Sequence, residues 1–204
     1  MIVICNREPF DHIIIKDFFH PVAYKEVIEE LIFLRPRMRG PESTGASSNK
    51  ENPKESKKRG VGIFLDSIYT DLNQSSITFQ TRNLFCDQIN SKMELIAKRN
   101  YYFRHWQHPK KDSIIAQYYD HGDYYKSHSD TALFSAVTAL YQKPKKFEGG
   151  RFVFPEFDYS VDLEDNTTLI FPSVLDHEVE EVTIPTSGEL LGRFSITNFI
   201  THNT

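Results

Sequence analysis

The first half of the chain combines short apolar runs with two helical patterns. Residues 12–19 are rich in β-branched and aromatic side chains and predict a strand. From Pro21 to Leu34, apolar residues return every three or four positions with charged residues between them, which predicts an amphipathic helix that begins at a proline. The same spacing predicts a second helix over Thr78–Lys98. We expect the apolar faces of both helices to cover a sheet.

Beyond Asn100 the pattern changes to short apolar and aromatic runs separated by turn residues, which is typical of many-stranded architectures. We predict eight strands in this part, at residues 114–119, 124–128, 134–142, 151–155, 159–163, 168–171, 178–184 and 190–200. Eight strands favour a mainly β fold with flanking α-helices. The fold predicted is a double-stranded β-helix (a cupin-like jelly roll) around a central cavity, with the N-terminal helices packed on the larger sheet.

The length of 204 residues fits a single domain, 1–204. Within it, residues 1–105 form the N-terminal strand and helix support, and residues 106–204 form the jelly-roll core. Residues 40–60 are rich in Gly, Pro, Ser and Lys and predict a mobile loop, either a lid or an excursion with no role in binding. The basic run Lys57–Arg59 within it is expected to be a solvated face.

Composition narrows the classes of partner. The formal net charge is −4, and the basic residues are scattered except between Lys50 and Arg59, so nucleic acid is disfavoured as a partner. Cys5 and Cys86 are far apart, which indicates neither a disulfide framework nor a zinc finger. The sequence shows no signal segment and no membrane-spanning run. We therefore predict a cytoplasmic protein without a membrane partner, and the oligomeric state stays open.

Candidate chemistry begins at the predicted strand end that carries His128 and Asp130. Side chains two residues apart on a strand point to the same face, so this imidazole and this carboxylate converge. A second histidine, His177, follows the short apolar strand near Ile170. Two histidines and one carboxylate are the facial ligand set of non-heme Fe(II) oxygenases. An isolated His-x-Asp is ordinary in soluble proteins, so the prediction depends on the residues around it.

Those surrounding residues form an ordered set, which comprises Tyr119 with Gly122, His128 and Asp130, Phe147-Glu-Gly-Gly150, His177, and Arg193 with Ser195. With this set, the chain resembles the Fe(II)/2-oxoglutarate-dependent dioxygenase superfamily, and within it the prolyl 4-hydroxylase-like branch. The resemblance covers Ile115 to Ile200. It implies that His128, Asp130 and His177 are the metal ligands and catalytic residues. It also implies Fe(II) and 2-oxoglutarate as cofactors, with ascorbate as a third candidate.

The same resemblance implies a cosubstrate site at the start of the last strand. Its arginine-x-serine pattern implies that Arg193 and Ser195 contact the distal carboxylate of 2-oxoglutarate, with Tyr119 as a third donor. Alternation predicts that Arg193, Ser195 and Thr197 share the cavity face. The alternative for Arg193 is an ion pair with Glu181 or Glu189.

The turn at residues 185–188 predicts that the last two strands form an antiparallel hairpin. On that register His177 lies opposite Thr197 and Arg193 lies opposite Glu181. The paired glycines at 149 and 150 are expected to supply backbone freedom before the next strand.

The function that the resemblance implies is hydroxylation of an unactivated C–H bond, with a prolyl residue of a peptide or protein as first candidate and succinate and CO2 as coproducts. A free amino acid or small metabolite is the alternative substrate. Repair of alkylated nucleic acid ranks lower, because those relatives carry an arginine six residues beyond the first and that position here is Phe199. A non-catalytic metal-binding jelly-roll module is the alternative of another class.

Overall fold

The computed structural model describes residues 1–45, 56–98, 100–107 and 109–202. The strands are β1 Ile2–Asn6, β2 His12–Lys16, β3 Val61–Phe64, β4 Pro109–Tyr119, β5 Tyr125–His128, β6 Phe134–Leu140, β7 Glu148–Gly149, β8 Phe152–Phe154, β9 Tyr159–Val161, β10 Thr167–Pro172, β11 His177–Val179, β12 Val182–Thr183 and β13 Arg193–His202. The helices are α1 Pro21–Leu34, α2 Pro41–Thr44, α3 Ser76–Leu84 and α4 Asn90–Ala97, with a π-helical turn, Phe85–Ile89, between α3 and α4. Short 3-10 turns lie at Arg35–Arg37, Leu65–Ser67, Leu72–Gln74, Tyr102–Gln107 and Pro155–Phe157.

The strands form two main antiparallel sheets. The larger sheet has the order β1-β2-β10-β6-β13-β4-β3, the smaller has the order β5-β11-β8-β9, and β12 pairs with β7. Apolar side chains from both sheets form one cluster, in which Val137, Leu169 and Phe171 of the larger sheet pack with Phe152 and Phe154 of the smaller one. The two sheets therefore face each other, as the predicted jelly roll requires.

The helices cover the outer face of the larger sheet. Val27 and Leu31 of α1 and Met93 of α4 belong to the same buried cluster as Ile13 of β2 and Ile196 of β13. Burying a Leu, Ile or Met side chain contributes about 1.5–3 kcal/mol, so this layer stabilises the sheet that carries the last strand. The prediction of N-terminal helices on the larger sheet is confirmed.

Several boundaries differ from the sequence prediction. The helix predicted over Thr78–Lys98 is interrupted by the π-helical turn, and the strand predicted over residues 12–19 ends at Lys16. Strands β1, β3 and β7 were not predicted. Of the predicted mobile loop, residues 46–55 lie outside the described residues; on either side of them the chain forms α2 and an isolated bridge between Lys58 and Tyr125.

The predicted hairpin between the last two strands is wrong. β11 pairs with β5 and β8 in the smaller sheet, whereas β13 lies between β4 and β6 in the larger sheet. Arg193 is therefore opposite Tyr119 rather than Glu181. A turn between two strands is compatible either with a hairpin or with a crossing from one sheet to the other, and side-chain alternation predicts a strand's faces but not its neighbours.

In the described part of the chain, every helix is too short or too polar to cross a membrane. Cys5 and Cys86 are both free and exposed. The cytoplasmic location stays a prediction.

Candidate active site

The structure brings His128, Asp130 and His177 together at the edge of the smaller sheet. His128 ends β5, His177 begins β11, and the two lie opposite each other in the antiparallel register. Asp130 follows β5 by two residues. One ligand atom from each of the three residues lies within 4.8 Å of the others. The strand pairing thus creates a cluster of two imidazoles and one carboxylate, which is a ligand set suited to Fe(II).

Both imidazole rings are oriented by backbone carbonyl groups. Nδ1 of His128 donates to the carbonyl oxygen of Lys126 at 2.9 Å, and Nδ1 of His177 donates to that of Leu175 at 2.9 Å. A carbonyl oxygen only accepts, so each Nδ1 carries the proton and each Nε2 is left with its lone pair. Both Nε2 atoms point towards Asp130, at 3.8 Å from His128 and 3.4 Å from His177. This is the tautomer and orientation that metal-binding histidines adopt.

Asp130 is held by two serines that the sequence analysis missed. The Ser135 hydroxyl donates to Oδ2 of Asp130 at 2.6 Å and lies 2.8 Å from the Ser173 hydroxyl. The backbone N–H of Asp130 donates to the carbonyl of Ser173 at 2.9 Å. These contacts hold the carboxylate through Oδ2, the oxygen that also faces Nε2 of His177. No sequence motif singles out the two serines, because they come together only through the pairing of β6 with β10.

The cluster favours the protonation states that bind metal. Burial, together with the neighbouring His177, lowers the pKa of His128 to about 4. Burial raises the pKa of Asp130, but the contacts with the His177 ring and with the Ser135 hydroxyl outweigh this, so the pKa is lowered overall. A neutral imidazole and an ionised carboxylate are the forms that coordinate a metal ion.

Aromatic rings enclose the two histidines. The Tyr125 ring stacks on His128 with 3.5 Å between centroids, and Phe152 stacks on His177 at 5.2 Å. Phe171 meets His177 edge-on at 4.8 Å. The rings restrict the imidazole planes and exclude water from one side, so the rotamers of the cluster are set before any ligand arrives.

Arg193 begins β13 and is 2% exposed. One guanidinium nitrogen, NH1, donates to the carbonyl of Gly150, whereas Nε and NH2 have no partner among the described residues. Within that same part of the chain, neither Glu181 nor Glu189 forms the ion pair considered as an alternative. Gly149 and Gly150 adopt positive φ values of 69° and 66°, as predicted, which places the Gly150 carbonyl. Burial lowers the pKa of Arg193.

A cavity of about 440 Å³ lies between the sheets and contains the His-Asp-His cluster. Ser195 and Thr197 of β13 and Tyr119 of β4 line it, while Phe194 and Ile196 belong to the cluster under the helices. The alternation predicted for β13 is therefore present. Arg193 shares the parity of Ser195 and adjoins Tyr119 in the register. The cavity thus connects the metal-ligand cluster with the strand that carries the arginine.

Lys58 is a second residue that the sequence analysis missed. It lies in the run expected to be solvated, yet it is 2% exposed and lines the cavity. Its neighbours Lys57 and Arg59 are more exposed. The signal available in the sequence was period-two alternation, which turns only the middle residue of an extended Lys-Lys-Arg segment inwards.

The donor sets fit the two groups that the resemblance implies. Two Nε2 lone pairs and an ionised carboxylate can hold a divalent iron on one side and leave the side facing the cavity open. The unpartnered guanidinium donors of Arg193 match a carboxylate, which accepts two parallel hydrogen bonds from such a fork. Both donor sets consist of side chains of this protein.

Residues 114–201 match the family model of the 2OG-Fe(II) oxygenase superfamily. That segment contains the whole His-Asp-His cluster together with Arg193 and Ser195. The family name states the use of Fe(II) and 2-oxoglutarate. No protein of curated function matches the chain.

Two solved structures share the fold over nearly the whole chain. One is a Pseudomonas putida prolyl-4-hydroxylase, with 14% identity and a TM-score of 0.53 over 95% of this chain and 93% of that one. The other is a viral collagen prolyl hydroxylase from Paramecium Bursaria Chlorella virus-1 in complex with 2OG, with 13% identity and a TM-score of 0.53 over 93% of this chain and 94% of that one. The likeness extends through the N-terminal helices, beyond the segment matched by the family.

Proposed function

We propose that this protein, whose residues 114–201 form a domain of the 2OG-Fe(II) oxygenase superfamily, binds Fe(II) through His128, Asp130 and His177 and hydroxylates a prolyl residue of a peptide or protein. The observation that carries the proposal is the cluster itself. Its three ligand atoms lie within 4.8 Å of one another, and both histidines keep Nε2 available. A surface cluster without a role in metal binding has no need for two carbonyl-fixed tautomers and a buried serine pair.

The protein's contribution is orientation and exclusion of water. Fe(II) and 2-oxoglutarate, when bound, would support the oxidation of an unactivated C–H bond by dioxygen, with one oxygen atom entering the hydroxyl group and the other entering succinate as 2-oxoglutarate loses carbon dioxide. His128, Asp130 and His177 hold the metal on the wall of the smaller sheet. Ser135 keeps Asp130 aimed at the cluster by its 2.6 Å hydrogen bond. The aromatic rings behind the histidines keep water from the far side of the ligands.

Arg193 is the residue proposed to hold the distal carboxylate of 2-oxoglutarate. Its Nε and NH2 groups are buried without a partner in the described residues, while the NH1 contact with Gly150 fixes the plane of the guanidinium. Ser195 and Tyr119 line the adjoining cavity wall and are proposed as further hydrogen-bond donors. A carboxylate there satisfies donors that are otherwise buried at a cost of about 1–3 kcal/mol each.

A prolyl residue is the first substrate to test because the two solved structures compared above are named as prolyl hydroxylases. Thr44 and Gly45, at the end of α2, line the cavity and are proposed to lie near the bound peptide. A free amino acid or small metabolite remains the alternative substrate. Ascorbate as a further cofactor stays a prediction.

The metal and cosubstrate assignment is tested by anaerobic titration of the full chain with Fe(II), with and without 2-oxoglutarate, while the weak visible charge-transfer band is followed. We expect the wild-type protein to develop the band only with both. Asp130→Ala should lose it through loss of metal, and Arg193→Ala should need far more 2-oxoglutarate. If both variants keep the band at wild-type 2-oxoglutarate affinity, the assignment is wrong.

The reaction is tested by aerobic incubation with proline-containing peptides and, separately, with free proline. Mass spectrometry should show a gain of one oxygen atom on a prolyl residue of the peptide, with succinate formed in equal amount. A gain on free proline alone would transfer the proposal to the small-metabolite alternative. Metal binding without succinate formation under any condition would leave a binding module instead of an enzyme.

A further inference from the structure

Lys58 places an ammonium group inside the cavity that holds the His-Asp-His cluster. We propose that Lys58 is a second carboxylate-binding residue of this site, and that its ammonium group receives a carboxylate either of the cosubstrate or of the substrate. The inference rests on the proposed function, because it assigns a ligand contact within the same site. It adds a residue from the N-terminal half, outside the segment matched by the family.

The burial of Lys58 is the first step of the argument. The residue is 2% exposed, and its Nζ lies 5.8 Å from the centroid of the Tyr119 ring and 5.3 Å from that of the Tyr125 ring. Within the described residues, Nζ forms neither an ion pair nor a hydrogen bond; it lies over these two aromatic faces, and the carboxylates of Asp123 and Asp130 are beyond ion-pair distance. Buried charges are ordinarily paired, because an isolated one loses most of its hydration energy. The cavity is the side from which a counter-charge can come.

The backbone around Lys58 holds this side chain in place. Lys58 forms a bridge with Tyr125, the first residue of β5, so the Lys57–Arg59 segment lies along the strand that ends in His128. The N–H of Arg59 donates to Tyr124 at 2.9 Å, and Nζ of Lys57 donates to the carbonyl of Ser127 at 2.7 Å. Fixed on both sides, the segment directs the middle side chain into the cavity.

The charges around the cavity point to an anionic ligand. Among the described residues that line it, Lys58 is the cation and Asp130 is the carboxylate. Asp130 is already engaged with His177 and Ser135. The proposed metal and the nearby Arg193 add further positive charge, so the cavity holds an excess of positive charge even with one dicarboxylate bound. Carboxylates are the oxygen anions that the proposed reaction brings to this site.

Tyr125 links Lys58 to the metal-ligand cluster. One face of its ring stacks on His128 at 3.5 Å, and Nζ of Lys58 lies 5.3 Å from its centroid. A single ring therefore separates the ammonium group from a ligand histidine. A carboxylate held by Lys58 belongs to a molecule that reaches the reacting end of the cavity, where either the cosubstrate or the substrate must be.

The experiment compares the full-length wild-type protein with Lys58→Met, Lys58→Arg and the matched control Arg59→Met, which removes the next cation from the same segment at an exposed position. Anaerobic Fe(II) titrations yield the 2-oxoglutarate dissociation constant from the charge-transfer band. N-acetylproline and N-acetylprolinamide are then added separately to the complex with Fe(II) and 2-oxoglutarate, and the change in that band measures their binding. Because only N-acetylproline carries a carboxylate, the comparison tests for a contact with a substrate carboxylate. Thermal melting without ligands measures any purely structural role.

We expect Lys58→Met to weaken the binding of either 2-oxoglutarate or N-acetylproline by about 10- to 100-fold. This is the range for a lost charge-assisted hydrogen bond. Lys58→Arg should recover part of the loss, and Arg59→Met should behave as wild type. If the affinity for 2-oxoglutarate falls, the cosubstrate is the source of the carboxylate. If N-acetylproline binds more weakly while the affinities for N-acetylprolinamide and 2-oxoglutarate are unchanged, the carboxylate belongs to the substrate.

If Lys58→Met and the wild type have the same affinity for 2-oxoglutarate, and the substitution does not weaken the binding of N-acetylproline, the inference is overturned while the proposed function stands. Unchanged affinities with a clearly lower melting temperature would also overturn it, since Lys58 would then be a packing residue. A wild-type protein that shows no band with Fe(II) and 2-oxoglutarate overturns the proposed function, and this inference with it.

Discussion

Two sets of polar groups in and beside the cavity, called here the metal-ligand end (His128, Asp130 and His177) and the cation end (Lys58 and Arg193), differ in how far the protein satisfies them. At the metal-ligand end, each histidine has a carbonyl partner on Nδ1 and Asp130 has the Ser135 hydroxyl. At the cation end, Arg193 keeps two nitrogens without a partner in the described residues, and Nζ of Lys58, which lies over two aromatic rings, forms neither an ion pair nor a hydrogen bond there. The first end is complete except for a metal, whereas the second is complete only when an anion binds.

This difference indicates how the fold distributes its stability. Buried, unpartnered cations cost free energy, and a protein retains them where a ligand offsets the cost. The partnered serines and carbonyls at the other end restrain the ligands without leaving buried donors unsatisfied. Substitutions at the metal-ligand end should therefore remove function, while substitutions at the cation end should remove ligand affinity and spare stability.

The largest effect should come from the metal ligands. We expect Asp130→Ala or His177→Ala to lower Fe(II) affinity by more than about 100-fold, since even outer partners of metal ligands are worth about 10- to 100-fold. Equilibrium titration with Fe(II) under anaerobic conditions measures this. His121→Ala is the matched control, because this histidine is exposed and lies in a turn outside the cluster. Equal losses in His121→Ala and His177→Ala would contradict the assignment.

The next effect tests the cation end. Arg193→Met should keep the wild-type affinity for Fe(II). Its affinity for 2-oxoglutarate should fall by about 100-fold, because a charge-assisted contact with a carboxylate is lost. Its melting temperature should change little, since the loss of the NH1 contact with Gly150 is offset by removal of a buried cation whose Nε and NH2 have no partner in the described residues. Arg151→Met is the control, because Arg151 is exposed and paired with Glu180. A large loss of stability without loss of 2-oxoglutarate affinity would reverse the comparison between the two ends.

A smaller effect separates restraint from simple packing at the metal-ligand end. Ser135→Ala removes the hydroxyl that holds Asp130, and we expect Fe(II) affinity to fall by about 10-fold. Thr138→Ala breaks a comparable buried hydroxyl pair on the same strand, with Thr168 at 2.7 Å, away from the cluster. Both variants should lose similar stability in urea denaturation. Only Ser135→Ala should bind iron more weakly, and the same loss in both would show that Ser135 has no specific role.

The strands and most of the metal-ligand end could be predicted from the sequence. Period-two alternation brings His128 and Asp130 to one face, and alternation in the last strand turns Ser195 and Thr197 to the cavity and Ile196 to the helices. Such local patterns are properties of single strands, which is why they can be predicted without knowing the neighbouring strands.

The partners of each strand could not be predicted in the same way. The hairpin that would have placed Arg193 opposite Glu181 fails because β11 and β13 belong to different sheets. The Ser135–Ser173 pair depends on the same long-range pairing, and so does the inward position of Lys58. Each contact joins segments distant in the chain, and polar composition alone predicts exposure for a lysine in a basic run.

The smallest effect is the contribution of Lys58 to the pH dependence of stability. Burial lowers the pKa of Lys58 from 10.5 to about 8, against the opposing charges of Asp123 and Asp130 and beside the rings of Tyr119 and Tyr125. Between those two pKa values the unfolded chain holds more protons than the native one, so the free energy of unfolding rises with pH, by at most about 1.4 kcal/mol per unit. Below pH 8 the native state carries the full penalty of the buried ammonium group.

Lys58→Met lacks this titration, so we expect it to be more stable than wild type at pH 7 and the difference to narrow towards about pH 9.5. Urea denaturation of both proteins at several pH values measures the difference, in which the titrations of all other groups largely cancel. Arg59→Met should follow the wild-type profile. Parallel profiles for wild type and Lys58→Met would mean that the ammonium group is already stabilised inside the protein. The cation end would then resemble the metal-ligand end and need no anion.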